Sequence, residues 1–185
     1  GNVRVIEIKE SVFADNDATS KAIREKMSAQ RTLFLNVMSG PGSGKTTFLT
    51  TLINRLKDQM KIGEMDVDIE TSLDAQRVAD LTGVESIQIH NCGLCHIDAD
   101  MVSRALLEYD TENLDLLILE NIGNLVCPAE FDTGANLNLT ILSVPEGDDK
   151  PAKYPLMYEV SDVLVINKID ALPVFDFRKD YVEAC

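Results

Sequence analysis

Between residues 39 and 47 the chain reads Ser39-Gly40-Pro41-Gly42-Ser43-Gly44-Lys45-Thr46-Thr47. Glycines in such a run let the main chain come close to a phosphate, and the N–H groups that open the following helix face the anion with the helix dipole behind them. Lys45 is placed to reach the β- and γ-phosphates of a nucleotide and the Thr46 hydroxyl to hold Mg²⁺. Gly40, Gly42, Ser43, Gly44 and Thr47 complete the phosphate contact. Ser39 stands where the usual pattern has its first glycine. A second concentration of chemistry is Cys92, Cys95, His96 and Cys127. Thiolate and imidazole suit Zn²⁺ or Ni²⁺. Adjacent Cys95 and His96 share one ion only at a turn or helix start, which is where they fall. From spacing alone, metal ligation stands beside burial of free cysteines as small hydrophobes. Cys92 and Cys95 make a single CxxC, a weak zinc signal without a second one. Cys185 is given no role, and His90, at a strand end, reads as structural.

Three further stations bear on the nucleotide. Asn167-Lys168-Ile169-Asp170 resembles the guanine-recognition motif of GTPases. A carboxylate such as Asp170 can accept from both the ring N–H and the exocyclic amine of guanine, which favours GTP over ATP. Glu120 closes the apolar run Leu114 to Leu119, where a carboxylate can hold Mg²⁺ directly or through water, and Gly123 lets the backbone swing toward a γ-phosphate. Asp68, with Asp66 as the alternative, is a Mg²⁺ or water contact at the end of a short strand; the competing reading is a solvated acid or helix cap. The catalytic set is therefore Lys45, Asp68 and Glu120, and the Mg²⁺ set Thr46, Asp68 and Glu120. No residue takes an evident glutamine or arginine-finger role, so slow intrinsic hydrolysis is expected.

The elements that must position these groups follow from hydrophobic pattern. Val3 to Ile8 alternates as an edge strand, and Ala18 to Gln30 reads as a polar helix, a solvated N-terminal arm with a docking arm as the weaker alternative. Short apolar runs at 33–38, 65–69, 86–89, 114–119, 137–144 and 163–166 read as strands, and 46–57, 73–81 and 101–107 as helices. Strands alternating with helices, apolar on both sides, imply an α/β fold with a mostly parallel sheet flanked by helices. The expected division is an arm at 1–30 and one nucleotide-binding domain at 31–185. Cys127 follows Glu120 by only seven residues, so its loop could respond to a γ-phosphate.

Composition limits the partners. Hydrophobic residues are 45% and charged ones 26% of 185, ordinary for a globular domain. The balance of 31 acids against 17 Lys and Arg, a net charge of −14, disfavours a nucleic-acid partner. No apolar run approaches the roughly 20 residues of a membrane span. Four irregularly spaced cysteines do not make a disulfide scaffold. With no signal peptide at its start, the sequence reads as cytoplasmic with reduced thiols.

Taken together, the motifs are similar to those of the HypB GTPases, which assist nickel insertion into [NiFe] hydrogenases. The resemblance rests on the phosphate loop, on Asp68-Ile69-Glu70-Thr71-Ser72-Leu73-Asp74-Ala75 and on Cys95-His96-Ile97-Asp98-Ala99. It extends to Glu120-Asn121-Ile122-Gly123-Asn124-Leu125-Val126-Cys127-Pro128-Ala129, Glu146 to Pro151, and Asn167 to Asp170. Members of that family also tend to carry serine at the position of Ser39. The resemblance implies a SIMIBI-type P-loop GTPase that dimerises around GTP. It implies a Ni²⁺ or Zn²⁺ site of Cys95, His96 and Cys127 at the dimer interface. The implied partners are a HypA-type nickel metallochaperone and the hydrogenase large-subunit precursor, with urease as a second client in some relatives. The alternative is a nucleotide-gated, metal-binding dimer module with negligible hydrolysis, and an ATPase of related type is a third reading. Val67 and Cys92 depart from the family's usual Gly and Thr. Family members also carry a further strand and helix after the Asn-Lys-x-Asp motif, so the C-terminal end reads as truncated.

Overall fold

The computed structural model describes residues 2–9, 15–68 and 73–185. Ile69 to Ser72, part of the motif that opens at Asp68, lie outside the described residues. The strands are β1 (Val3–Glu7), β2 (Leu33–Ser39), β3 (Ile62–Asp68), β4 (Ser86–His90), β5 (Leu116–Gly123), β6 (Leu137–Ser143) and β7 (Val163–Asn167). The helices are α1 (Asn16–Ala29), α2 (Lys45–Leu56), α3 (Leu73–Thr82), α4 (Ala99–Leu106), α5 (Lys150–Lys153), α6 (Pro155–Glu159) and α7 (Lys179–Ala184). Among the described residues the seven strands are all parallel, in the order β1-β4-β3-β5-β2-β6-β7.

The chain leaves β2 toward one edge of the sheet and comes back for β6 on its other side. This reversal makes β2 the switch point, with a crevice beyond the carboxyl ends of the central strands where ligands bind in such sheets. Period-two alternation divides the core. Leu35 and Val37 on β2 and Leu116 and Ile118 on β5 pack with Leu49 and Ile53 of α2 and Val78 of α3. Phe34, Leu117 and Leu119 pack on the opposite face with Ile23 and Met27 of α1 and Met101, Val102 and Ala105 of α4. Glu120 therefore continues the α2 face and Asn121 the α1–α4 face.

Two expectations need correction. Strand β5 does not stop at Leu119. It runs to Gly123, and between the pairs Val37–Glu120 and Ser39–Gly123 it holds one residue more than β2. Such a bulge keeps polar residues in a buried strand while bending it near a site; Glu120 is accordingly an interior residue, 1% exposed. Strand β1 is the edge strand expected, but α1 is likewise not a solvated arm. Strand β1 pairs with β4, and α1 packs on α4, because Ile23 and Met27 share one helical face and are buried. Among the described residues no helix is long and apolar enough to cross a membrane.

Truncating Met27, which has no exposed surface, to alanine should cost about 2–5 kcal/mol. Urea unfolding measures this, and an unchanged midpoint would show that α1 is not part of the core.

Candidate functional site: a phosphate cradle beside a dithiol

The run 40–44 turns sharply from β2 into α2. Gly42 (φ +74°) and Gly44 (φ +88°) lie in the left-handed region, which side chains other than glycine's enter at a cost. A Cβ on Gly44 would also sit 2.6 Å from Asn167 Nδ2. The loop borders a cavity of about 750 Å³ lined by residues 39–47, by Asp66, Val67 and Asp68 from β3, by Glu120, Ile122 and Gly123 from β5, and by Lys168. Lys45 Nζ donates to the main-chain oxygen of Asn121 at the β5 bulge. Thr46 Oγ1 lies 3.4 Å from Glu120 Oε1. The turn after β7 braces the loop from the other side: Asn167 Nδ2 donates to Ser43 O (3.0 Å), and Lys168 Nζ, on a left-handed residue, to Gly42 O (2.7 Å). Asp170 is exposed on the following 3₁₀ turn, Ile169–Ala171. The acidic loop 146–149 is engaged: Glu146 caps Ser143 (2.7 Å) and faces Gly40, while Asp148 pairs with Arg178 (2.8 Å).

Both sequence candidates at the end of β3 line this cavity. Asp66 is the one in register with Glu120, and Asp68 lies further out. Sequence reading missed Glu64. Glu64, Asp66 and Glu120 bring one carboxylate oxygen each within 4.8 Å of one another, all buried. Burial above all, then the charges of Glu120 and Asp66, pushes the Glu64 carboxyl well above its ordinary range; Ser86 Oγ donates to it in partial opposition. The alternation Glu64-x-Asp66-x-Asp68 within a buried strand was the available signal. Hydroxyl and carboxylate oxygens at Thr46, Glu120, Asp66 and Asp68 form a hard donor set that fits Mg²⁺.

About the second site, the two chain segments meet. Cys95 Sγ and Cys127 Sγ are 2.6 Å apart. That contact first, then desolvation, raises the Cys127 thiol above its ordinary value. Local asparagines build the two loops. Asn91 Nδ2 donates to Leu94 O and His96 O (both 2.8 Å), and Asn124 Oδ1 accepts from Val126 N (2.7 Å) and Cys127 N (3.1 Å). Beside the two sulfurs, the His96 imidazole makes an aromatic contact. Among the described residues its ring nitrogens do not join both sulfurs in a three-donor cluster, and the ring stacks on Phe131 with centroids 4.0 Å apart. An aromatic face available four residues after Cys127 competes for the imidazole. Cys92 points elsewhere, its thiol donating to Glu7 (3.5 Å).

A parallel sheet whose strand β2 feeds a G-S-G-K-T turn, braced by an N-K-x-D turn, is the fold of a P-loop nucleotide-binding domain. Residues 34–183 match the family described as CobW/HypB/UreG, nucleotide-binding domain. The chain is 42% identical over 178 residues to the hydrogenase maturation factor HypB of Rhizobium leguminosarum bv. viciae, covering 96% of this chain and 59% of the relative. It is 41% identical over 180 residues to the hydrogenase/urease maturation factor HypB of Helicobacter hepaticus, covering 95% and 73%. The crystal structure of HypB from Helicobacter pylori in complex with nickel superposes with a TM-score of 0.83 at 40% identity, covering 92% of this chain and 80% of that one. The chain belongs to the HypB family of hydrogenase maturation factors. It spans about three fifths of the length of the first curated relatives it matches.

Glu64 sets a pH dependence of known sign. With its folded-state value raised, the folded protein keeps a proton that the unfolded chain loses above about 4.5, so stability falls as pH rises beyond that value. Glu64→Gln, neutral at all pH, should flatten this decline as pH rises above about 4.5. Denaturant midpoints without divalent cations test it, and equal slopes for parent and variant would contradict it.

Proposed function

We propose that this chain is the GTP-hydrolysing, nickel-handling domain of a hydrogenase maturation factor. The observation that carries the reading is the sulfur contact of Cys95 with Cys127, seven residues down the chain from Glu120 in the nucleotide cavity. The nickel-complexed relative supports it.

The nucleotide's triphosphate would lie along residues 40–47, with the Lys45 ammonium on the β- and γ-phosphates. Thr46, Asp68 and Glu120, with Asp66 beside them, would hold Mg²⁺, which supplies charge neutralisation at the transferred phosphoryl group. Asp170, exposed on its turn, would accept from guanine, while Asn167 and Lys168 secure the cradle. A bound phosphate competes with the Asn121 carbonyl for Lys45. Its arrival loosens the end of β5, and the segment from Asn121 to Cys127 carries that change to the thiols. Nickel is the cargo, and zinc suits the same sulfur ligands. Two thiolates per chain fill half of a four-coordinate site, so a second copy, paired in a GTP-dependent homodimer, completes it. His96 joins only by leaving Phe131. A HypA-type metallochaperone and the hydrogenase large-subunit precursor, or urease in some settings, are the partners on either side of the transfer.

One observation favours the alternative of a metal-binding dimer switch with negligible hydrolysis: the described residues lining the cavity include neither glutamine nor arginine. Single-turnover GTP cleavage with Mg²⁺ separates the two. The leading reading expects slow phosphate release that Lys45→Ala abolishes, and release at the buffer rate would leave the switch alone.

Metal and base recognition are testable residue by residue. Cys95→Ser and Cys127→Ser should each weaken Ni²⁺ binding at least about 100-fold, and His96→Ala by less than about tenfold. Isothermal titration under reducing conditions measures this; equal losses for all three variants would restore His96 as a full ligand. GTP should outcompete ATP at least about tenfold, and Asp170→Ala should erase that preference. Equal affinities in the parent would remove the guanine assignment.

A further inference from the structure

The residue that links the two sulfur-bearing loops belongs to neither. Asn16, the first residue of α1, accepts through Oδ1 from Ala99 N at 2.8 Å and donates through Nδ2 to Asp132 O at 3.0 Å. Ala99 opens α4, three residues after His96; Asp132 lies five residues after Cys127. Either bond alone would be an ordinary local contact. The Ala99 N–H is one of the amides that a helix start leaves without an intrahelical acceptor, and Asp98 already caps Met101 N beside it (2.9 Å). Made together by one planar amide, the two bonds fix the separation of two segments that no strand pairing joins.

The rest of α1 gives that amide a rigid base. Arg24 Nη2 grips Asp132 Oδ1 (2.6 Å) and Oδ2 (2.8 Å), its Nε donates to Ala135 O (3.0 Å), and Asn136 Nδ2 donates to Ser28 Oγ (3.1 Å). Ile23 and Met27 anchor the helix in the core. The loop after Cys127 is thus tied to α1, and the loop carrying Cys95 is tied to α1 through the start of α4. The His96–Phe131 stack is a second link between the same two loops.

We propose that Asn16 is a positioning residue for the Cys95–Cys127 metal site, its side-chain amide holding the two loops at the separation that lets both sulfurs face one ion. The proposal rests on the reading of that thiol pair as the metal site. Groups that orient ligands without touching the metal commonly contribute 10- to 100-fold in affinity, and most when they sit on rigid elements.

The test uses the full chain, reduced and nucleotide-free. Zn²⁺ is titrated against a chromophoric chelator, and Co²⁺ absorption reports thiolate geometry. Asn16→Ala and Asn16→Asp should both weaken Zn²⁺ binding about tenfold and shift the Co²⁺–thiolate charge-transfer band, with GTP affinity within about twofold of the parent. Asn16→Asp is the discriminating variant: it keeps an acceptor for Ala99 N and loses the donor to Asp132. Parent-like metal binding and spectrum in Asn16→Asp would mean that Asn16 only caps α4 and would overturn the proposal. This variant also carries the test if Asn16→Ala does not fold. The double variant Cys95→Ser/Cys127→Ser is run alongside. If it binds Zn²⁺ as tightly as the parent, the metal-site reading itself fails, and the role of Asn16 falls with it. If it loses Zn²⁺ while both Asn16 variants bind normally, only the role of Asn16 fails.

Discussion

The contact between the Lys45 ammonium and the main-chain oxygen of Asn121 joins everything else in this molecule. It crosses from the phosphate loop to β5 at the one place where β5 carries an extra residue. The side chain of Asn121 is committed on the other face, donating to Asn36 Oδ1 (3.0 Å), while Asn36 donates to Asn138 Oδ1 (3.1 Å) and Asn138 to Val160 O (3.0 Å). A connected row of amides of this kind, Asn36 and Asn121 buried and Asn138 half-buried, rigidifies the sheet beneath the cradle. With the side chain fixed, the proposed exchange of Lys45 between carbonyl and phosphate would act on the main chain alone. The direction open to it is along β5, toward Gly123, Asn124 and Cys127.

At the far end, the geometry of the thiol pair is a property of amides rather than of apolar packing. Asn91, Asn124 and Asn16 each make two hydrogen bonds that shape or join the loops bearing Cys95 and Cys127. Hydrogen-bonded loops can rearrange at lower cost than a packed core, which would suit the proposed holding and release of an ion. The acidic trio of Glu64, Asp66 and Glu120 shows the opposite design. Burial there makes full ionisation costly, so a divalent cation entering among the carboxylates relieves their mutual repulsion.

What could be read from the sequence divides along the same line. The phosphate loop, the parallel sheet and the placement of Cys95 and Cys127 in loops depend on local pattern, and local pattern is what a sequence displays. The end of β5 was misjudged because Glu120 and Asn121 look like the polar exit from a strand, whereas a bulge and the amide row keep them inside. The polar face of α1 concealed its attachment, since Ile23 and Met27 alone are a thin apolar stripe. The orientation of His96 depends on Phe131, a residue 35 positions away whose nearness only the fold creates. Glu64 escaped notice because its partner, Glu120, comes from a different strand.

The coupling of cradle to thiols is tested most directly by measuring Ni²⁺ affinity at saturating Mg²⁺ with GDP and again with a non-hydrolysable GTP analogue. The account predicts affinities that differ at least about fivefold, the lower bound of ordinary allosteric coupling, and a difference that vanishes in Lys45→Ala at nucleotide concentrations that still saturate it. The same Ni²⁺ affinity in both nucleotide states of the parent would contradict it.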